Sequence, residues 1–136
     1  MRRLILALAL GLGAVAIWLP GGATADGPLT LKRAIKQVGP VHSDGNRYVS
    51  HLVLFTKRGP VGTARYTCIE TKQFRPRCSI LSKFSEGRIR ARGRLSPTAT
   101  IRIVGGSGAF RDARGEIEFS QSGRHAALIY RLTSYG

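Results

Sequence analysis

The residues best suited to chemistry are four arginines in the stretch GRIRARGRL, Gly87–Leu95. Arginine occupies every second position, and a period of two is typical of a β-strand, whose successive side chains point to opposite faces. The row predicted on one face consists of Arg88, Arg90, Arg92 and Arg94, with Ile89, Ala91 and Leu95 on the other. Guanidinium groups pair with phosphates and carboxylates, and same-face side chains repeat about every 6.6 Å, so the chemistry indicated is binding of an anionic chain.

Two interpretations of this arginine row stay open, a dedicated anion site and an ordinary solvated face of a sheet. Arg102 alternates with Ile101 and Ile103 and is expected to extend the row to a neighbouring strand. No aromatic residues interleave with these arginines, so base stacking and sequence-specific nucleic-acid binding are not expected. The partners that fit are acidic envelope polymers or lipid headgroups, held by salt-sensitive electrostatic attraction.

The N-terminal segment has the features of a signal peptide. A short basic start, Met1–Arg3, precedes an almost unbroken apolar run, Leu4–Leu19. Small residues at Ala23 and Ala25 then supply the two positions that a signal peptidase recognises. We expect residues 1–25 to be cleaved after Ala25 and the protein to be secreted. An uncleaved anchor fits less well, because the apolar run is short for a membrane span.

The remaining chain, residues 26–136, is long enough for one compact domain and too short for two. Two of the 22 basic residues leave with the signal peptide while all 7 acidic residues stay, so the net charge falls from +15 to +13. This excess of positive charge favours partners that carry negative charge.

Two cysteines, Cys68 and Cys78, are separated by nine residues that include the turn-forming stretch Arg75-Pro76-Arg77. In a chain bound for an oxidising compartment, this spacing predicts a disulfide across a β-hairpin. A catalytic thiol is less favoured, because no neighbouring histidine would activate it. Two cysteines and scattered histidines do not provide the four ligands of a zinc site, so no metal is expected.

The disulfide also predicts which side chains share its face of the sheet. If Cys68 and Cys78 pair directly, Tyr66 and Glu70 lie on the same face, which we expect to be the interior. Tyr66 would then line a cavity. Glu70 would lie near one mouth, either as a partly desolvated carboxylate or as a solvated rim group paired with an arginine.

Two further residues are candidates for the interior. His51, in the stretch YVSHLVLF, is expected to face inward with Val53 and Phe55, as a cavity residue or as a hydrogen-bonded core histidine. Tyr130 lies between apolar residues and would give a cavity an apolar wall with one hydroxyl group. None of these residues is assigned a catalytic role.

The whole domain has the pattern of an antiparallel β-protein, because short alternating runs are separated by Gly, Pro, Asn and Asp. The predicted strands are Leu29–Lys36, Arg47–Lys57, Gly62–Thr71, Arg77–Phe84, Gly87–Leu95, Ala99–Val104, Gly115–Ser122 and Arg124–Leu132. Eight short strands with tight connections fit a sandwich or a closed up-and-down barrel, and closure is favoured because it removes exposed sheet edges.

The segment IVGGSGAFRDARGEIEF, Ile103–Phe119, resembles the signature of dirigent proteins and the related allene oxide cyclases, which have calycin-like barrels. The matching residues, in order and spacing, are Gly105, Gly106, Ser107, Gly108, Phe110, Ala113, Arg114 and Gly115. The family fold is an eight-stranded antiparallel up-and-down β-barrel, which agrees with the independent strand count.

The resemblance implies a secreted barrel that binds a small hydrophobic molecule and steers its cyclisation or isomerisation without a cofactor. An enzyme of this kind would be an isomerase, although the resemblance does not decide whether a reaction is catalysed. Related barrels associate, so a homo-oligomer is implied as well. The alternative is a non-enzymatic basic module that binds acidic polymers or surfaces through its arginine row.

The matching motif also has a structural explanation. Gly105, Gly106 and Gly108 are expected to adopt positive φ where one strand ends and the chain turns back. Phe110 would plug one end of the barrel. Arg114 would either donate hydrogen bonds to loop carbonyls or pair with a nearby acid.

Overall fold

The computed structural model describes residues 28–72 and 75–136, and within them the chain is all-β. The strands are β1 (Leu29–Gln37), β2 (His42–Asp44), β3 (Arg47–Thr56), β4 (Gly59–Ile69), β5 (Arg77–Phe84), β6 (Gly87–Arg94), β7 (Thr100–Gly108), β8 (Arg114–Ser122) and β9 (His125–Ser134). The predicted signal peptide, residues 1–25, lies outside the described residues. In the described part of the chain, no helix has the length and hydropathy needed to cross a membrane.

Eight of the nine strands close into an antiparallel barrel. From β3 to β9 each strand pairs with the next, and β1 pairs with both β9 and β3. The structure therefore confirms the predicted eight-stranded barrel in which sequential strands are neighbours.

The short strand β2 is an addition to the predicted eight. It pairs with the first residues of β3, on the same edge that β1 occupies further along. The turn-forming residues Ser43–Asn46 conceal this strand in the sequence pattern. The chain reversal itself needs only Gly45 and Asn46, because Asp44 already pairs with Arg47. Gly45 has φ of 65°, a conformation that glycine adopts without steric cost.

Side-chain alternation separates an apolar interior from a charged exterior. In β6, Ile89 and Ala91 are buried, while Arg88 and Arg90 are exposed on the outer face. The same division runs through β7, where Arg102 is exposed between two buried isoleucines. The barrel therefore adopts the alternation predicted for the arginine row, and it places the arginines outside.

One end of the barrel is filled by aromatic side chains. The Phe84 ring contacts the rings of Phe110 and Tyr130 at centroid distances of 5.7 and 5.6 Å, and Tyr135 lies 6.3 Å from Phe110. Aromatic pairs of this kind contribute about 0.5–1.5 kcal/mol beyond their burial. We call this cluster of four rings the aromatic plug.

The segment that resembles the family signature, which we call the glycine motif, places Phe110 in the aromatic plug. The backbone conformations of its glycines differ from those expected. Of the first three glycines, only Gly108 has positive φ, at 64°. A Cβ atom on Gly106 would overlap the carbonyl oxygens of Phe110 and Arg88, so Gly106 is required for the close approach of the loop to its own strand. The expected positive φ was wrong for Gly105 and Gly106, because β7 continues through both residues and the chain turns back only at its last residue, Gly108.

Backbone contacts then hold the loop that carries Phe110. The Phe110 amide donates to the Ser107 carbonyl at 3.1 Å, and the Ala113 amide donates to the Phe110 carbonyl at 3.0 Å. Arg114 donates from Nη1 to the carbonyls of Val104 and Ala113, at 3.1 and 2.7 Å. Of the two expected roles for Arg114, the structure shows hydrogen bonding to loop carbonyls.

We predict that Gly106→Ala destabilises the barrel more than Gly105→Ala. At Gly106 the added methyl group meets rigid backbone on two sides, whereas at Gly105 it meets only the flexible guanidinium of Arg90. Overpacking against backbone costs about 1–3 kcal/mol, so Gly106→Ala should lower the free energy of unfolding by that amount. Urea denaturation of both variants measures the difference, and equal losses would contradict the close-approach explanation.

Candidate ligand-binding site

In the part of the chain that the structure describes, the barrel is open at the end opposite the aromatic plug, where it contains a cavity of about 350 Å³. This end is formed by the starts of β3 and β9 and the ends of β1, β4 and β8. The cavity is lined by Ile35, Gln37, Val41, Tyr48, Ser50, Leu52, Tyr66, Phe119 and Ala126. Most of this lining is hydrocarbon, and the polar groups are uncharged hydroxyls and one amide.

Two exposed apolar side chains form part of the rim of this cavity. Val41 and Phe119 are 47% and 38% exposed, and both contribute to the cavity wall. Clustered exposed apolar groups beside a concave opening are typical of a binding site.

Tyr48 is the polar group at the rim. Its hydroxyl donates to Oε1 of Glu70 at 3.1 Å, and the hydrogen bond and negative charge of Glu70 raise the pKa of Tyr48. Asn46 fixes Glu70 from the other side, because its Nδ2 donates to the Glu70 carbonyl at 3.0 Å. Tyr48 therefore stays protonated, with an oxygen lone pair available to a donor on a ligand.

Glu70 occupies the mouth as a solvated rim group, which is one of the two expected alternatives, but without the expected arginine partner. Its side chain is exposed, so it is not a desolvated carboxylate. Its hydrogen-bond partner is Tyr48 rather than an arginine. The register of β3 against β4 explains this partner. Tyr48 lies opposite Cys68, and β4 ends one residue later, just before Glu70.

Tyr66 lies deeper in the cavity, beside the disulfide. Cys68 and Cys78 are directly opposite in β4 and β5 and are bonded, which confirms the predicted disulfide. The Tyr66 hydroxyl lies 3.4 Å from Sγ of Cys78, and burial raises the pKa of Tyr66. The hydroxyl is therefore neutral at physiological pH. It contacts the disulfide that joins β4 to β5.

His51 was wrongly expected to face the interior. The inward residues of β3 are Leu52 and Leu54, which are 8% and 0% exposed, so His51 points outward, opposite Arg65. The error arose because β3 has apolar residues on both faces, which makes its alternation ambiguous. Val53 and the other expected companions of His51 also belong to the outer face.

Tyr130 faces inward but belongs to the filled half of the barrel rather than to the cavity. It is fully buried, and its hydroxyl makes a 2.7 Å hydrogen bond with Oγ of Ser82. Burial raises the pKa of Tyr130 to about 12, although the Ser82 hydrogen bond and the Arg33 charge oppose this rise. Tyr130 therefore acts as a structural part of the aromatic plug.

Sequence reasoning missed Arg33, a cation on the inner face of β1. Leu31, Arg33 and Ile35 are half-buried and alternate with exposed residues. The Arg33 guanidinium lies 5.8 Å from the centre of the Phe84 ring, and its Nε is buried without a hydrogen-bond partner. The alternation of LTLKRAIKQ could have indicated this position, since Arg33 shares its parity with leucine and isoleucine.

Other residues of the cavity were also missed, notably Gln37, Ser50 and Phe119. The predicted anion-binding residues Arg88, Arg90, Arg92, Arg94 and Arg102 are all exposed on the outside of the barrel and do not line this cavity. Among the described residues, no group of three or more His, Cys, Asp and Glu side chains could hold a metal ion.

We predict that Tyr130→Phe destabilises the protein at neutral pH. We also predict that the variant loses less stability at alkaline pH than the wild type does. The variant leaves the buried Ser82 hydroxyl without its partner, so the free energy of unfolding should fall by about 1–3 kcal/mol. In the wild type, Tyr130 ionises near pH 10 when unfolded but near 12 when folded, so stability is lost as the pH rises through this window. The phenylalanine side chain of the variant has no proton to lose, and this part of the alkaline loss should disappear.

Urea denaturation between pH 7 and pH 11 measures both effects. Ser82→Ala is the control, because it removes the hydrogen bond and keeps the titrating hydroxyl, so its alkaline loss should persist. Identical pH dependence in the wild type and Tyr130→Phe would contradict the assignment.

Comparison with known proteins supports the fold without indicating a family. No family model matches the chain, and no curated protein matches it. Among solved structures, the chain is similar to one described as "Pyocyanin demethylase", with a TM-score of 0.67 and 21% sequence identity. The match covers 77% of this chain and 100% of that chain. At this identity the similarity shows a shared barrel fold alone.

Proposed function

We propose that this protein is an exported barrel that binds a small, largely apolar molecule in the cavity at its open end. The observation that carries the proposal is the unequal filling of the barrel. Packed aromatic rings occupy one end, whereas the other has a cavity of about 350 Å³. Ligand sites for small molecules are typically mostly apolar and about 300–1,000 Å³ in volume.

The polar groups of the cavity indicate what kind of molecule fits. Gln37 supplies an amide, and Tyr48, Ser50 and Tyr66 supply three hydroxyls. Among the described residues, no charged side chain lines this cavity. Because burial of an unpaired charge is costly, an uncharged ligand with one or two hydrogen-bonding groups is favoured over an ion. The exposed rim residues Val41 and Phe119 would be covered when such a ligand enters.

The resemblance to dirigent proteins and allene oxide cyclases extends this proposal to chemistry. Hydroxyls fixed on rigid strands would orient a flexible ligand and so steer its cyclisation or isomerisation without a cofactor. The solved structure named for demethylation of pyocyanin supports the use of a similar barrel on a small molecule. The Cys68–Cys78 disulfide supports export, because such bonds persist in oxidising compartments.

We predict that Ser50→Trp abolishes binding of a neutral apolar probe, N-phenyl-1-naphthylamine. The indole would occupy the cavity, whereas wild-type protein should enhance the fluorescence of the probe in a saturable manner. His51→Trp is the matched control, because it places the same side chain on the exposed outer face of the same strand. We expect at least tenfold weaker binding for Ser50→Trp and unchanged binding for His51→Trp, measured by fluorescence titration.

Circular dichroism and thermal melting establish that both variants fold. Ala126→Leu provides a second, smaller obstruction from β9 and should weaken binding in the same direction. Full binding by a folded Ser50→Trp variant, or equal losses in both tryptophan variants, would contradict a ligand site in this cavity.

A further inference from the structure

The outer surface of five adjacent strands, β3 to β7, carries an unbroken excess of positive charge. These strands contain no aspartate or glutamate. Their nine basic residues, all exposed, are Arg47, Arg65, Arg77, Lys83, Arg88, Arg90, Arg92, Arg94 and Arg102. We call this surface the basic face, and it is separate from the cavity inside the barrel.

The register of the sheet places like charges directly against each other on the basic face. Arg77 is paired with Arg94, and Lys83 is paired with Arg88. Like charges in opposite cross-strand positions are destabilising. The single ion pair within residues 28–72 and 75–136 joins Arg131 to Glu118, on other strands, so neither opposed pair is joined to a carboxylate by an ion pair.

Two depressions cross the basic face and meet in its middle. The first, of about 340 Å³, is lined by four arginines, Arg47, Arg65, Arg90 and Arg92. The second, of about 480 Å³, is lined by Arg77, Arg92 and Arg94.

Three side chains, Thr67, Ser79 and Arg92, line both depressions and lie in one row across three strands. The depressions therefore form a continuous track. It has the Thr67 and Ser79 hydroxyls and Arg92 in the middle, and further guanidinium groups towards both ends.

We propose that this track binds a linear polymer of phosphate groups. Eight of the nine cations are arginine, whose planar fork pairs with phosphate oxygens through two hydrogen bonds. The arginines of β6 repeat about every 6.6 Å along the strand, so successive groups of an extended polyanion can each meet a guanidinium. The threonine and serine hydroxyls add donors between them.

Two other anionic partners fit the track less well. Among the described residues no aromatic side chain lines either depression, so nucleic-acid bases would have no stacking platform. A lipid surface would have to contact the cations as a plane, whereas these arginines surround depressions in a curved wall. A polymer chain can enter the depressions and neutralise the opposed pair Arg77–Arg94, both of which line the second depression.

The test measures binding of long-chain polyphosphate to the whole protein and to Arg90→Ser/Arg92→Ser. These arginines line the track, and Arg92 lies where the depressions meet. The matched control is Arg58→Ser/Arg124→Ser, which removes the same charge from exposed turns outside the basic face. We expect affinity to fall at least tenfold in the first variant and less than threefold in the control. The plot of log K against log salt has a negative slope, and in the first variant this slope should become shallower by about two.

Thermal melting adds a second readout. Polyphosphate should raise the melting temperature of the wild type more than inorganic phosphate does at the same phosphate concentration. Probe binding in the cavity should be unchanged in Arg90→Ser/Arg92→Ser, so failure of this proposal is distinguishable from failure of the ligand site. Because the variant lowers the net positive charge of the basic face, its melting temperature without polymer should not fall.

Each contrary result overturns the proposal. Equal losses in the two variants would show attraction to net charge alone. Tighter binding of single-stranded DNA with the same number of phosphates would indicate a nucleic-acid partner. Binding to anionic phosphatidylglycerol vesicles without binding to polyphosphate would indicate a membrane partner.

Discussion

The pairing of β1 with both β9 and β3 is the constraint on which the rest of this structure depends. It turns a sheet into a closed wall, so every side chain of the eight strands is committed to the inside or the outside. The interior can then hold only groups that tolerate burial, whereas the cations of β3–β7 must face water. Two chemically different surfaces, an uncharged cavity and a basic face, follow from this one closure.

Within the closed wall, the glycine motif makes the two ends of the barrel unequal. Gly106 allows the loop after β7 to pack against its own strand, and this brings Phe110 onto Phe84. The plug also covers Tyr130, whose hydroxyl finds a partner in Ser82. The opposite end has no equivalent loop among the described residues, and its apolar wall lines a cavity. The glycine motif therefore shapes the ligand site indirectly, because it closes the opposite end of the barrel.

Much of this architecture could be predicted from the sequence, because alternation and turn residues are local signals. The bounds of β5, the orientation of the β6 arginines and the Cys68–Cys78 pairing all follow from such signals. The cavity was harder to predict. Its lining depends on which face of β3 turns inward, and apolar residues on both faces hide that choice. His51 was consequently placed inside, and Ser50 was missed.

Strand β4 contributes to both surfaces, and its pleat keeps the two apart. Along β4, Tyr66 points into the cavity while its neighbours Arg65 and Thr67 point to the track outside. Successive side chains of a strand lie on opposite faces, so an outer substitution removes charge without entering the cavity. At the mouth of the cavity, Glu70 is held by Tyr48 rather than by an arginine of the basic face. Because the favoured ligand is uncharged and the polymer would stay on the outer face, we expect ligand entry and polymer binding to be independent of each other.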